Sequence, residues 1–372
     1  MGETYHRTSS DGHWDGSARW LKSYLFDVAA TPESDGTSGQ QQLREMLSYT
    51  TGKRNPKLIE PSLLSTEESG FHHVVWPSRN RPVEMYLDTT SDPNRRFWLG
   101  YSLSDAGALD STVDRITSKK VGIDRAWLWP DILAAAQKKG QFRGVRMDYD
   151  YRRFDERTSD STRYFKLSLS GGPSTARVID VLRNDPHFAN DLVIAKVRAR
   201  FEESNTDDKS RFVIEDIKYD GKLSARGTSF DAHQEVLVEL RTAYASKIIQ
   251  IEQRLAKGQA SNVMIQGMPV YMELRRSPIT DLDAFCTVVF NGTLPFRLWG
   301  IISSDSNAEC RHVHAVDLQS GSKLFFEVFA DLIVMYLYEG SCGNSVARFF
   351  TNLQHTFSSL VKATDDDGKS IF

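Results

Sequence analysis

Cys342 is the residue best placed for covalent chemistry. The segment Glu339-Gly340-Ser341-Cys342-Gly343 falls between a strand-like run, Leu332–Tyr338, and a helical run, Ser345–Leu360, that carries Val346, Phe349, Phe350, Leu353 and Phe357. A thiol at such a junction has a helix N-terminus beside it, which favours the thiolate and supplies N–H donors for a developing oxyanion. Arg348 follows in the first turns of the same helix and could grip phosphate or carboxylate oxygens. Cys342 and Arg348 are therefore the candidate catalytic pair of a hydrolase acting on a phosphorylated or acyl substrate.

The Cys-x5-Arg spacing resembles that of the cysteine phosphatases, and Trp129-Pro130-Asp131 resembles their acid-loop tripeptide. The resemblance implies that Cys342 attacks and Arg348 clamps the phosphate. The sequence departs from the pattern at two neighbours. Phe349 stands where a hydroxyl residue usually follows the arginine, and Ser341 where a histidine precedes the cysteine. Read without the resemblance, the string is a Gly-Ser-Cys-Gly turn leading into a helix.

Other constellations have plainer alternatives. Glu215-Asp216-Ile217-Lys218 resembles the tail of a restriction-type nuclease core, with Asp216 and Lys218 on one strand face. The default for such a string is a solvated strand. Cys310, His312 and His314 alternate along one face, but three ligands on one straight strand point in parallel and reach a single Zn²⁺ only across a bulge. No metal and no cofactor is expected. Walker, dinucleotide, kinase and Gly-x-Ser-x-Gly motifs are absent. Gly171-Gly172-Pro173-Ser174-Thr175 reads as a capped turn before a helix.

The remaining candidate is a charged sheet. Lys196, Arg198 and Arg200 share a strand face opposite Val197 and Ala199, and Lys218, Lys222 and Arg226 lie on neighbouring strands. Basic residues interleaved with aromatics can follow phosphates and stack bases, which makes Lys196, Arg198, Arg200 and Lys218 the candidate nucleic-acid-binding residues. Residues 143–226 hold 17 basic and 15 acidic side chains, so the charge is compensated locally.

The elements that would position these groups follow from periodicity. Residues 1–16 read as disordered, Trp20–Val28 as a short amphipathic helix, Pro32–Gln42 as a linker and Leu43–Tyr49 as a second helix. Residues 1–70 thus form an extension, and 71–158 an α/β region with strands at His73–Trp76, Val83–Asp88, Phe97–Leu103 and Phe142–Phe154. Residues 159–260 read β-α-β-β-β-α, with a hairpin at Asp220-Gly221 and a long helix capped by Asp231. Residues 261–372 follow a comparable order with one extra strand and end in a disordered acidic tail. The fold class is α+β, mostly antiparallel, with two tandem modules that form a candidate pseudo-repeat.

Composition bounds the rest. The 372 residues carry 46 Lys plus Arg and 49 Asp plus Glu, for a formal charge of −3, and 40% are hydrophobic. This excludes collagen-like, globally disordered and strongly basic chromatin classes. The apolar runs Phe325–Tyr338 and Val263–Tyr271 fall short of the ~20 residues that span a bilayer. Three separated cysteines and no visible secretory signal suggest a reduced, cytoplasmic protein that makes no membrane contact. The leading expectation is a non-catalytic protein recognising a macromolecule or ligand through its sheet surface, with nucleic acid a candidate partner. The Cys342–Arg348 hydrolase is the alternative.

Overall fold

The computed structural model describes residues 20–29, 37–52, 56–66, 68, 70–78, 81–154, 164–185, 192–255, 268–274, 278–303 and 309–372. The disorder expected over 1–16 lies outside them. The chain forms two compact units, one from residues 1–126 and 199–241 and the other from 127–198 and 242–372.

The elements run in this order. The first are β1 (Leu21–Val28), α1 (Thr37–Leu47), β2 (Tyr49–Thr51), β3 (Lys57–Ile59), β4 (Ser62–Ser65), β5 (Phe71–Trp76), β6 (Val83–Asp88) and β7 (Phe97–Ser102). Then come α2 (Ala106–Lys119), β8 (Ile123–Arg125), α3 (Pro130–Lys139), β9 (Gln141–Asp150), β10 (Tyr164–Ser170) and α4 (Pro173–Asn184). β11 (Ile194–Glu202), β12 (Phe212–Lys218), β13 (Lys222–Gly227) and α5 (Phe230–Leu255) follow. The last are β14 (Val270–Glu273), α6 (Leu282–Val289), β15 (Leu298–Ile302), β16 (Arg311–Asp317), β17 (Lys323–Val328), β18 (Leu332–Leu337), α7 (Gly343–Thr356) and β19 (Lys362–Thr364). The α+β class and the dominance of antiparallel pairing are as the sequence implies.

In the first unit, β1 is central. β7 pairs along one edge from Lys22 to Asp27, while the other edge takes β13 at Leu21–Tyr24 and β8 at Phe26–Val28. The helix expected over Trp20–Val28 is therefore a strand. All eight of its residues are buried, so the alternation that marks a one-sided strand is missing, and Leu21, Tyr24, Leu25 and Val28 imitate helical spacing. Its charged residues are partnered: Lys22 Nζ donates to the Ser104 carbonyl at 2.6 Å, and Arg96 clamps Asp27 at 2.6 and 3.0 Å. The helix expected from Leu43 begins six residues earlier, at Thr37. Tyr24, Phe26, Val28, Leu43, Leu47, Trp76, Trp98, Leu109 and Val113 make one continuous core.

Gly221 closes the β12–β13 turn. The register pairs Ile217 with Leu223, which leaves Tyr219-Asp220-Gly221 as a three-residue loop rather than the two-residue one expected. Gly221 has φ +73°, and a Cβ there would stand 2.6 Å from the Ala126 carbonyl oxygen, so only glycine fits. The cap of α5 is Ser229, whose Oγ accepts from the Ala232 N–H at 3.1 Å; Asp231 lies inside the first turn.

In the second unit, β14–β19 form a sheet ordered β15-β16-β17-β18-β14-β19. Its inner positions, including Val313, Phe326, Met335 and Met272, are sealed, and α7 is buried along its whole length. The residues beyond 360 are not a disordered tail. β19 pairs with β14, and the Phe372 ring packs 4.7 Å from Phe350 and 4.8 Å from Trp129. The repeated element order is not matched by repeated pairing. β14 joins the last strand of its meander, β18, whereas β10 joins β9, the strand before it.

Candidate functional site

β12 and β13 seal one face and partly bury the other. Val213, Glu215, Ile217, Leu223 and Ala225 are fully buried, while on the opposite side Asp216 and Lys222 are buried and Ile214, Lys218, Ser224 and Arg226 half-buried. Register aligns this second face across three strands. Lys22, Ser224 and Asp216 form one row, with Tyr24 beside Lys222 in the next. Arg226 lies over the Trp20 ring at 4.8 Å, and Arg200 of β11 lies over Phe212 at 4.1 Å. The Arg200 guanidinium also donates to the Lys209 carbonyl at 2.8 Å. Stacking on a ring restricts where a guanidinium can lie, and Arg200 is held further by Glu202 at 3.7 Å.

One end of this face is tied to α2. Lys222 Nζ reaches both Asp110 oxygens, at 2.5 and 2.6 Å, and the Tyr24 hydroxyl donates to the same carboxylate. Burial alone would raise the Asp110 pKa, but the hydrogen bonds from Lys222 and Tyr24 and the nearby Lys218 charge hold it below the usual carboxylate range. Burial, with Asp110 adding to it, pushes the Tyr24 hydroxyl far up. Lys222 is thus buried and held in an ion pair at this end of the face.

Lys196 and Arg198 occupy alternate half-buried positions of β11, with Val197 and Ala199 sealed, as their spacing implies. These two residues belong to the second unit, and Arg200 and Lys218 to the first.

The buried side of β1 and β12 carries a group that sequence reading missed. Ser23 Oγ is 2.8 Å from His233 Nε2, and His233 Nδ1 is 2.5 Å from Glu215 Oε1. With Nδ1–H donating to Glu215, Nε2 accepts the Ser23 hydroxyl. The order is that of nucleophile, base and orienting acid. All three residues are 0% exposed, so no substrate reaches Ser23, and the chain instead pins α5 to the sheet. Glu215 is accordingly a core residue. Asp216 and Lys218 do share the opposite face, as the nuclease reading required.

Cys342 is the N-cap residue of α7 and half-buried, where the sequence placed it. The first helical N–H, that of Gly343, already donates to Glu252 Oε1 at 2.6 Å. Arg348 points into the core. Its guanidinium is ion-paired with Asp317, and Nε donates to the Phe296 carbonyl at 3.1 Å. Burial would raise the Asp317 pKa, yet Arg348, the Ser345 hydroxyl and the Gln319 N–H together hold it low. Asp131 is itself exposed in the first turn of α3. A phosphate clamp would require Arg348 to abandon Asp317. Among the described residues no group of three His, Cys, Asp or Glu side chains is arranged to hold a metal, and no helix is long and apolar enough to cross a membrane.

The architecture defines an α+β protein with two units, an ordered basic sheet face and a sealed polar core. The chain belongs to the MJECL33-like protein family, whose pattern it matches over residues 1–371. It is similar to the uncharacterised protein MJECL33 of Methanocaldococcus jannaschii, with 27% identity covering 90% of this chain and 95% of the relative.

Proposed function

We propose that the chain is a non-catalytic binding protein that recognises a single-stranded nucleic acid through the half-buried positions of β12 and β13 and the Arg200 end of β11. The observation that carries this reading is the pairing of arginine with aromatic ring at both edges of the face, Arg226 on Trp20 and Arg200 on Phe212. Each pair brings an aromatic ring for a base and a positive charge for a phosphate. Lys218 adds a third cation at the far, hairpin end of β12, and the sealed opposite side, pinned by His233, keeps the strands in register. Lys196 and Arg198 remain candidates for the same partner. The hydrolase alternative draws no comparable support, because Arg348 is committed to the core.

The test is fluorescence anisotropy with a labelled single-stranded oligonucleotide. The wild-type chain should bind it, and an Arg200→Ala, Lys218→Ala, Arg226→Ala variant with unchanged circular dichroism should bind at least tenfold more weakly. Equal affinity of the two proteins would remove this face from the function.

A further inference from the structure

The outer face of the second unit's sheet leaves large side chains in the open. Trp299 is 50% and Ile301 59% exposed, although Leu298 on the opposite side of the same strand is sealed. Register sets Ile301, His314, Phe325 and Tyr336 in one row across four strands, with Trp299 in line with Val316 and the exposed Lys323 in the next. The ring centroids of His314 and Phe325 are 5.0 Å apart, and those of Phe325 and Tyr336 5.6 Å.

Strand addition at the adjacent edge is already forestalled. The Gly292 N–H donates to the Leu298 carbonyl at 2.8 Å, and the Gly300 N–H to the Phe290 carbonyl at 3.0 Å, so the backbone groups beside Trp299 are taken. What is open is the face. It is not uniformly apolar: the Tyr336 hydroxyl bonded to Glu327 at 2.9 Å and the two histidine rings stand among the hydrophobic groups. A wholly apolar partner would strip water from those polar groups without replacing it. A flat heteroaromatic ring covers Trp299 and Ile301 while its edge hydrogen-bonds the exposed His314, and Lys323 supplies a cation for an attached phosphate.

We infer that this face is a second site on the protein and that it takes the bases of a single-stranded nucleic acid; the inference rests on the partner class proposed above. The experiment compares an oligonucleotide with an abasic strand of equal phosphate number, on the full chain and on Trp299→Ala and His314→Ala variants. Expected is binding of the base-bearing strand about tenfold tighter than the abasic strand, with the difference reduced in either variant and unchanged affinity for the abasic strand. A preference for the base-bearing strand that is unchanged in both variants overturns this inference and leaves the basic face standing, and equal binding of both strands by the wild type overturns base recognition at either face. Binding of neither strand overturns both. Concentration-dependent self-association in sedimentation, abolished by Trp299→Ala, assigns the face to a second copy of the chain and overturns the inference as well. His314→Ala, an exposed substitution, keeps the comparison decisive should Trp299→Ala fail to fold.

Discussion

Arg348 and Asp317 form an ion pair in the interior of the second unit, with side chains 2% and 0% exposed. Removing one member leaves the other charged and unpaired, which costs about 3–5 kcal/mol. Arg348→Met should lower the urea-unfolding free energy by that amount, whereas Cys342→Ser should change it by less than about 0.5 kcal/mol. A neutral Arg348→Met would show that the arginine is not structural.

The same pair sets a pH dependence. Asp317 is held below its ordinary pKa, so its contribution is full above the unfolded value of about 3.9 and is lost as pH falls through the lower folded value. Unfolding free energy measured between about pH 6 and pH 2 should fall with acidification. The Arg348→Met protein should show a shallower fall in the same window, and parallel curves would contradict the assignment.

Cys342 should be the reactive thiol. It is half-buried, while Cys286 and Cys310 are sealed and burial pushes the Cys286 thiol up to about 12. A chromogenic disulfide should titrate one thiol rapidly in the native chain, and Cys342→Ser should abolish that phase. Rapid reaction of a second thiol would show that the core around α6 opens.

His233 joins two elements far apart in sequence. His233→Ala leaves Glu215 buried without its donor and Ser23 without its acceptor, at a cost of about 3 kcal/mol. Thermal unfolding should register that loss, with no change in the cysteine titration. An unchanged midpoint would mean that the hydrogen-bonded chain contributes nothing net.

Much of the architecture is legible from residue order. Between Tyr164 and Leu255 every strand and helix lies where alternation, Gly221 and Pro173 place it, because each sheet strand there has two faces of unequal burial and each turn a residue suited to it. β1 is misread for the opposite reason: a strand buried on both faces carries no period. The row of Lys196, Arg198 and Arg200 is visible because alternation is local. The Ser23–His233–Glu215 chain is not, since it spans 210 residues and exists only once β1 and β12 are in register beneath α5. Trp299, His314, Phe325 and Tyr336 are hidden likewise, sitting on four strands whose alignment no local pattern supplies.

The proposed function requires Arg200, Lys218 and Arg226, on β11, β12 and β13, to neutralise phosphates. The most direct measurement is the dependence of oligonucleotide affinity on salt concentration. Each lost phosphate contact on a single strand lowers the slope of log affinity against log salt by about 0.7, so neutralising Arg200, Lys218 and Arg226 together should reduce it by about 2. A slope identical in the wild-type and substituted chains would contradict the account.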